Sequence, residues 1–165
     1  WAMSIFVRFA VLAVLCSLPP APRAQGVVTQ RVLSLQAAKL IAEGALAECA
    51  ARGFHTAVAV VDRAGQLLVL LRDEQTSPAT IDMARGKAYT ALVFRSSTLD
   101  FQKATASDPV RAPQRNVPGI LALGGGVPIS AGGEIIGGVA SSGSNQTTDD
   151  ECARAGLAKA AELLK

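Results

Sequence analysis

Two consecutive runs that are apolar on both faces limit the folds open to this chain. Thr56-Ala-Val-Ala-Val-Val61 and Gln66-Leu-Leu-Val-Leu-Leu71 are separated by Asp62-Arg-Ala-Gly65, a turn sequence, and the three segments predict an antiparallel hairpin. Side chains alternate along a strand, so Thr56, Val58 and Val60 share one side and Ala57, Ala59 and Val61 the other. Leu67, Val69 and Leu71 oppose Leu68 and Leu70 in the same way. A sheet apolar on both faces must be covered on both. A chain this small is not expected to supply all of that cover, so a second copy is expected to add to it and the chain should form a homo-oligomer.

The remaining elements follow from periodicity and caps. Ser34 is placed to cap a helix from Leu35 to about Arg52, with Leu35, Ala38, Ala42, Ala45/Leu46 and Cys49 on one stripe and Gly53 as its stop. Ser77-Pro78 opens a second helix, Ala79 to about Phe94. It buries Ile81, Ala84, Ala88 and Leu92 and carries Asp82, Arg85 and Tyr89 on an adjacent face. A short helix follows from Ser97 or Thr98 through Ala104, and residues 105–119 read as loop. Strands are predicted at the end of Leu121–Ser130 and over Glu134–Ser142, turning at Ala131-Gly-Gly133. Thr148-Asp-Asp-Glu151 has the capping-box spacing and predicts a last helix beginning near Asp149. Helices at both ends around central hairpins make an α+β class with a mostly antiparallel sheet.

The first 24 residues read differently. Arg8, a ten-residue apolar run Phe9–Leu18, Pro19-Pro20 and the small-residue exit Ala21-Pro-Arg-Ala24 describe a secretory signal peptide cut after Ala24. Residues 25–165 then form the domain, and a periplasmic or secreted location is expected. Losing Arg8 and Arg23 lowers the formal charge from +3 to +1, and no Lys/Arg run remains. The pI near 9.0 therefore carries no nucleic-acid surface, and no stable membrane insertion is expected after cleavage. Two cysteines stay in the domain, Cys49 and Cys152: an exported compartment allows them to pair, and buried free thiols are the alternative.

Few residues can carry chemistry. The chain has one histidine, so a multi-histidine metal cage is excluded and any histidine-based hydrolytic triad would need His55. His55, at a strand start, is either an edge residue or a single axial ligand to a haem or corrinoid metal. Asp149, Asp150 and Glu151 are either favourable charge at a helix start or a surface cation site, with Asp149 and Glu151 joining His55 as metal candidates. Arg85 and Lys87 suit a carboxylated ligand, with Asp82 a local competitor for Arg85, and Tyr89 offers a ring face and a hydroxyl. Gly137-Gly138 inside a strand permit close approach, either of a ligand or of a packed element. Gly124-Gly-Gly126 lacks the Lys-Ser/Thr of a phosphate loop.

Five strings, in order and spacing, resemble the GlcG/HbpS family, which includes the C-terminal domain of PduO-type proteins. They are Ala59-Val-Val-Asp-Arg-Ala-Gly-Gln-Leu-Leu-Val69, Ser77-Pro-Ala-Thr-Ile-Asp-Met-Ala-Arg-Gly-Lys-Ala-Tyr-Thr-Ala91, Gly125-Gly-Val-Pro-Ile129, Gly133-Glu-Ile-Ile-Gly-Gly-Val139 and Asp150-Glu-Cys-Ala-Arg-Ala-Gly156. The resemblance implies a profilin-like sandwich, assembly into dimers and larger rings, and binding of haem or a corrinoid. It also implies side-by-side terminal helices, which would let Cys49 and Cys152 form a disulfide. One departure stands out: where many relatives carry Gly-Gly-His-Leu in the hairpin turn, this chain has Ala64-Gly65-Gln66-Leu67. The resulting expectation is an exported, oligomeric, non-enzymatic haem- or tetrapyrrole-binding protein. In it, His55, Arg85, Lys87, Tyr89, Gly137 and Gly138 contact the ligand. The alternatives are a cofactor-free accessory oligomer of a periplasmic oxidation pathway, or an enzyme acting on a small acid or degrading haem; scarce histidine and the absence of a nucleophile–base pair weigh against an enzyme.

Overall fold

The computed structural model describes residues 26–165, of which Arg31–Lys165 form one compact unit. The expected signal peptide, residues 1–24, lies outside the described residues. No described helix is long and apolar enough to cross a membrane.

The elements are α1 (Leu35–Ala51), β1 (Ala57–Asp62), β2 (Leu67–Arg72), α2 (Ala79–Phe94), α3 (Thr98–Ser107), β3 (Gly126–Ala131), β4 (Glu134–Ser142) and α4 (Gln146–Lys159). Short 3₁₀ turns occupy Ala112–Asn116 and Ala161–Leu164. Ser34 caps α1 as its position predicts, its hydroxyl accepting from the Ala37 amide at 3.1 Å. Ser97 does the same for α3 through the Asp100 amide. The capping box expected at Thr148–Glu151 is replaced by an earlier start. Asn145 caps α4 by accepting from the Thr148 amide at 3.0 Å, and Asp149 falls inside the first turn, facing the interior.

The four strands run in the order β2-β1-β4-β3, every neighbour antiparallel. β1 divides its side chains as the alternation predicts. Val58 and Val60 meet α1, α4 and the β3/β4 aliphatics Val127, Ile129 and Val139, while Ala57, Ala59 and Val61 face Ala84 and Ala88 of α2. The cover that the chain itself supplies reaches the central strand first. α1 and α4 cover one face and α2 the other, so β1 is buried within a single chain. The outer strand β2 stays more open, with Leu67 41% exposed and Leu68, Leu70 and Leu71 part-buried.

Glycines set how closely the layers approach. A Cβ on Gly138 would stand 2.2 Å from the Ala88 carbonyl oxygen, and one on Gly126 2.5 Å from that of Lys87. The backbone of α2 therefore lies directly on β3 and β4. On the other face α1 and α4 meet through Gly44 and Gly156, where a Cβ on Gly156 would reach 2.3 Å from the Ile41 carbonyl. Across the same contact Cys49 and Cys152 form a disulfide with Cα atoms 5.6 Å apart, joining residues 103 positions apart.

Two stability outcomes follow. Gly138→Ala should force α2 off the sheet and cost about 3 kcal/mol through overpacking, read as a lower urea midpoint; an unchanged midpoint would contradict the contact. Replacing both Cys49 and Cys152 by Ala should cost about 4 kcal/mol if loop entropy dominates. Thiol titration of the denatured native protein should find no free thiol from this pair until reductant is added.

Candidate functional site

The β1–β2 turn, α2 and the loop before β3 enclose the first site. Asp62 shapes the turn, its carboxylate accepting the Ala64 and Gln66 amides at 2.9 Å, and Gly65 takes φ +76°. Thr90 of α2 anchors the far wall, its hydroxyl accepting from the Leu121 amide at 2.8 Å and donating to the Gly86 carbonyl at 2.7 Å. That anchor brings Pro118-Gly119 against α2. The Tyr89 ring lies between two glycines: a Cβ on Gly65 would stand 2.6 Å from it, and one on Gly119 3.4 Å. The resulting cavity, about 420 Å³, is lined by Gln66, Asp82, Arg85 and Tyr89. Tyr89 and Ala64 also wall a neighbouring cavity of about 270 Å³ that carries Arg63, Arg95 and Leu92. Arg85 is exposed and forms no salt bridge among the described residues, not even with Asp82 one turn back. An open cation beside an aromatic face can hold the carboxylate and the plane of a flat anionic molecule.

Lys87, on the same helix, lies elsewhere and corrects its expected role. Its ammonium is 2% exposed and donates to Asp149 Oδ2 at 2.8 Å and to the Ser141 carbonyl at 3.1 Å. Asp149 Oδ1 accepts from the Ser144 amide and hydroxyl at 3.1 and 2.7 Å. Lys87 is thus a structural tie between α2, β4 and the start of α4, with its charge already neutralised. Gly137 and Gly138 are corrected likewise. Val61 O and Ala88 O, not a ligand, occupy the space that their side chains would fill.

The expected metal set does not assemble. His55 stands at the other end of the hairpin from Gln66, roughly 20 Å away along the six residues of β1. Its Nδ1 lies 3.0 Å from Asp73 Oδ1, which also accepts the Gln75 amide at 2.8 Å. The Gln75 amide first and His55 second hold the Asp73 carboxyl below its ordinary range. Glu151 points outward to Arg52, which also bonds Glu48. Asp149 is inside with Lys87. Among the described residues no group of three His, Cys, Asp or Glu is placed to hold a metal.

The structure therefore brings Arg85 and Tyr89 together and leaves His55, Lys87, Asp149 and Glu151 apart from them. Sequence reading missed Pro118-Gly119 as part of the site. Its one local signal, Pro followed by Gly in a loop, marks a turn without saying what the turn packs on.

Fold and site define a class: an α+β sandwich with an all-antiparallel four-stranded sheet and a cationic, tyrosine-walled cavity at one hairpin end. Comparison makes the class specific. A family model described as "Haem degrading protein HbpS-like" matches residues 33–158. The chain is 31% identical over 111 residues to Protein GlcG of Escherichia coli K12, covering 67% of this chain and 81% of that protein. A crystal structure of a double mutant of HbpS from Streptomyces reticuli superposes with a TM-score of 0.77 at 35% identity, covering 87% of this chain and 97% of that one. A PduOC:Heme complex shares the fold at a TM-score of 0.71 and 21% identity, covering 78% of this chain and 95% of that chain. The chain belongs to the HbpS-like family.

Removing one partner of the buried ion pair tests the corrected role of Lys87. Lys87→Met should strand the Asp149 charge and cost about 3–5 kcal/mol in denaturant unfolding. A stability loss under about 1 kcal/mol would return Lys87 to the pool of ligand-contacting residues.

Proposed function

We propose that this protein binds haem or a closely related tetrapyrrole at the cavity between the β1–β2 turn and α2. The observation that carries the reading is the open Arg85 guanidinium beside the glycine-clamped ring of Tyr89. A tetrapyrrole edge offers carboxylates to the cation, and Tyr89 stands in the wall beside it. Membership of a family described by haem, and a structural neighbour described as a haem complex, support the same ligand. The cation fits the carboxylate edge of such a molecule; the cavity holds no imidazole, because His55 lies at the other end of the hairpin. A corrinoid has no comparable support and is set aside.

Two further parts of the reading stand on narrower observations. Export agrees with the leader-like first 24 residues and with a disulfide, which persists in oxidising compartments. Assembly of copies agrees with the open outer edge of β2, whose leucine-rich backbone offers unpaired hydrogen-bonding groups. An oligomer without a ligand, the accessory reading, is what remains if the binding test fails.

The test is a titration with haemin followed in the Soret region. Wild-type protein should saturate with one haemin per cavity, and Arg85→Gln should bind about fivefold more weakly, as suits loss of one solvent-accessible ion pair. No spectral change at micromolar haemin would overturn the reading.

A further inference from the structure

We infer that Tyr89 supplies the axial oxygen to the iron of a bound haem, in the place where an imidazole is missing. The inference rests on the binding reading above.

Side chains that ligate haem iron are few: imidazole, thiolate, thioether or phenolate. The single histidine is engaged with Asp73 at the far end of the hairpin. Among the described residues the remaining candidates are two cysteines and one methionine besides Tyr89; Cys49 and Cys152 are joined to each other and fully buried. Met83 lines a different cavity, beside Lys87 and Asp149 on the opposite side of α2. Tyr89 is the chain's one tyrosine, and its ring forms the wall shared by the two adjoining cavities. Its hydroxyl bonds to no described residue and is not among the buried atoms left without a partner, so solvent reaches it.

Position and chemistry support the role together. Gly65 and Gly119 leave no side chain over the ring, so the phenol is held by two backbones that fix its plane. Arg85 lies one turn earlier on the same face of α2, so its guanidinium stands beside the ring. Gln66, in the turn, is a poor ligand but lines the same cavity and can donate its amide to a bound oxygen. Asp82 is the one competing carboxylate among the residues that line the cavity. It sits two turns before Tyr89, about 10 Å along the helix.

The step balances simply. The phenol O–H bond breaks and its proton passes to water; the oxygen–iron bond forms as a water or chloride leaves the iron. The iron stays ferric and no electron moves.

The experiment compares haemin with iron-free protoporphyrin IX as probes, using the full domain and its Tyr89→Phe, Asp82→Asn and His55→Ala variants. Phenylalanine keeps the ring between the two glycines, and unchanged circular dichroism verifies the fold. The wild-type haemin complex should show phenolate-to-iron charge-transfer absorption and tyrosinate modes in resonance Raman. Tyr89→Phe should lose both and bind haemin about tenfold more weakly, while its protoporphyrin affinity stays within about twofold. Asp82→Asn and His55→Ala should keep the wild-type spectrum. A Tyr89→Phe complex with the wild-type spectrum, or loss of that spectrum in either of the other variants, would overturn the assignment of Tyr89 while leaving binding intact. Failure of the wild type to take up either probe would overturn the binding reading itself, and the ligand with it.

Discussion

The backbone of α2 rests on glycines, and the rest of the arrangement depends on that contact. Ala88 O over Gly138 and Lys87 O over Gly126 leave no room for a Cβ between helix and sheet. Such an approach fixes the rotation of α2 about its axis. With residues 87 and 88 pressed to the strands, the Lys87 ammonium must find a partner in the interior. Arg85 and Tyr89 are turned to the rim, where the β1–β2 turn and Pro118-Gly119 meet them. One helix therefore carries an interior tie and an outer cavity wall two residues apart.

The interior tie explains the start of α4. Asp149 lies inside because Asn145, four residues earlier, takes the cap. Its carboxylate then satisfies Lys87 and the Ser144 amide and hydroxyl together, which is what makes a charged pair tolerable at 2% exposure. Ser141 stands between this pair and the disulfide: its carbonyl accepts from Lys87, and its hydroxyl lies 3.4 Å from the Cys49 sulfur. The two helical layers are thus linked through one residue of β4.

Local pattern was enough for elements whose cause is local. Alternation in Ala57–Val61 assigned each side chain to its face, and the Ser34 and Ser97 caps marked their helices because a cap acts within three residues. The ordered family strings placed the two cysteine-bearing helices together. What stayed hidden depends on residues distant in sequence. Lys87 reads as a solvated cation until Asp149, 62 positions on, is beside it. Gly137-Gly138 read as packing space or ligand space until Val61 O and Ala88 O occupy it. Thr148–Glu151 matches a capping box, yet Asn145 competes for the same amide and wins, since its side chain is also free to bond Thr148 Oγ1. His55 was drawn to a metal by scarcity alone, a compositional argument with no positional content.

Hydrogen–deuterium exchange with and without haemin locates the ligand independently of any substitution. The account predicts added protection in residues 64–66, 85–93 and 118–120, the turn, helix and loop that wall the cavity. Protection confined to the start of β1 and to residues 72–76, around His55 and Asp73, would contradict it.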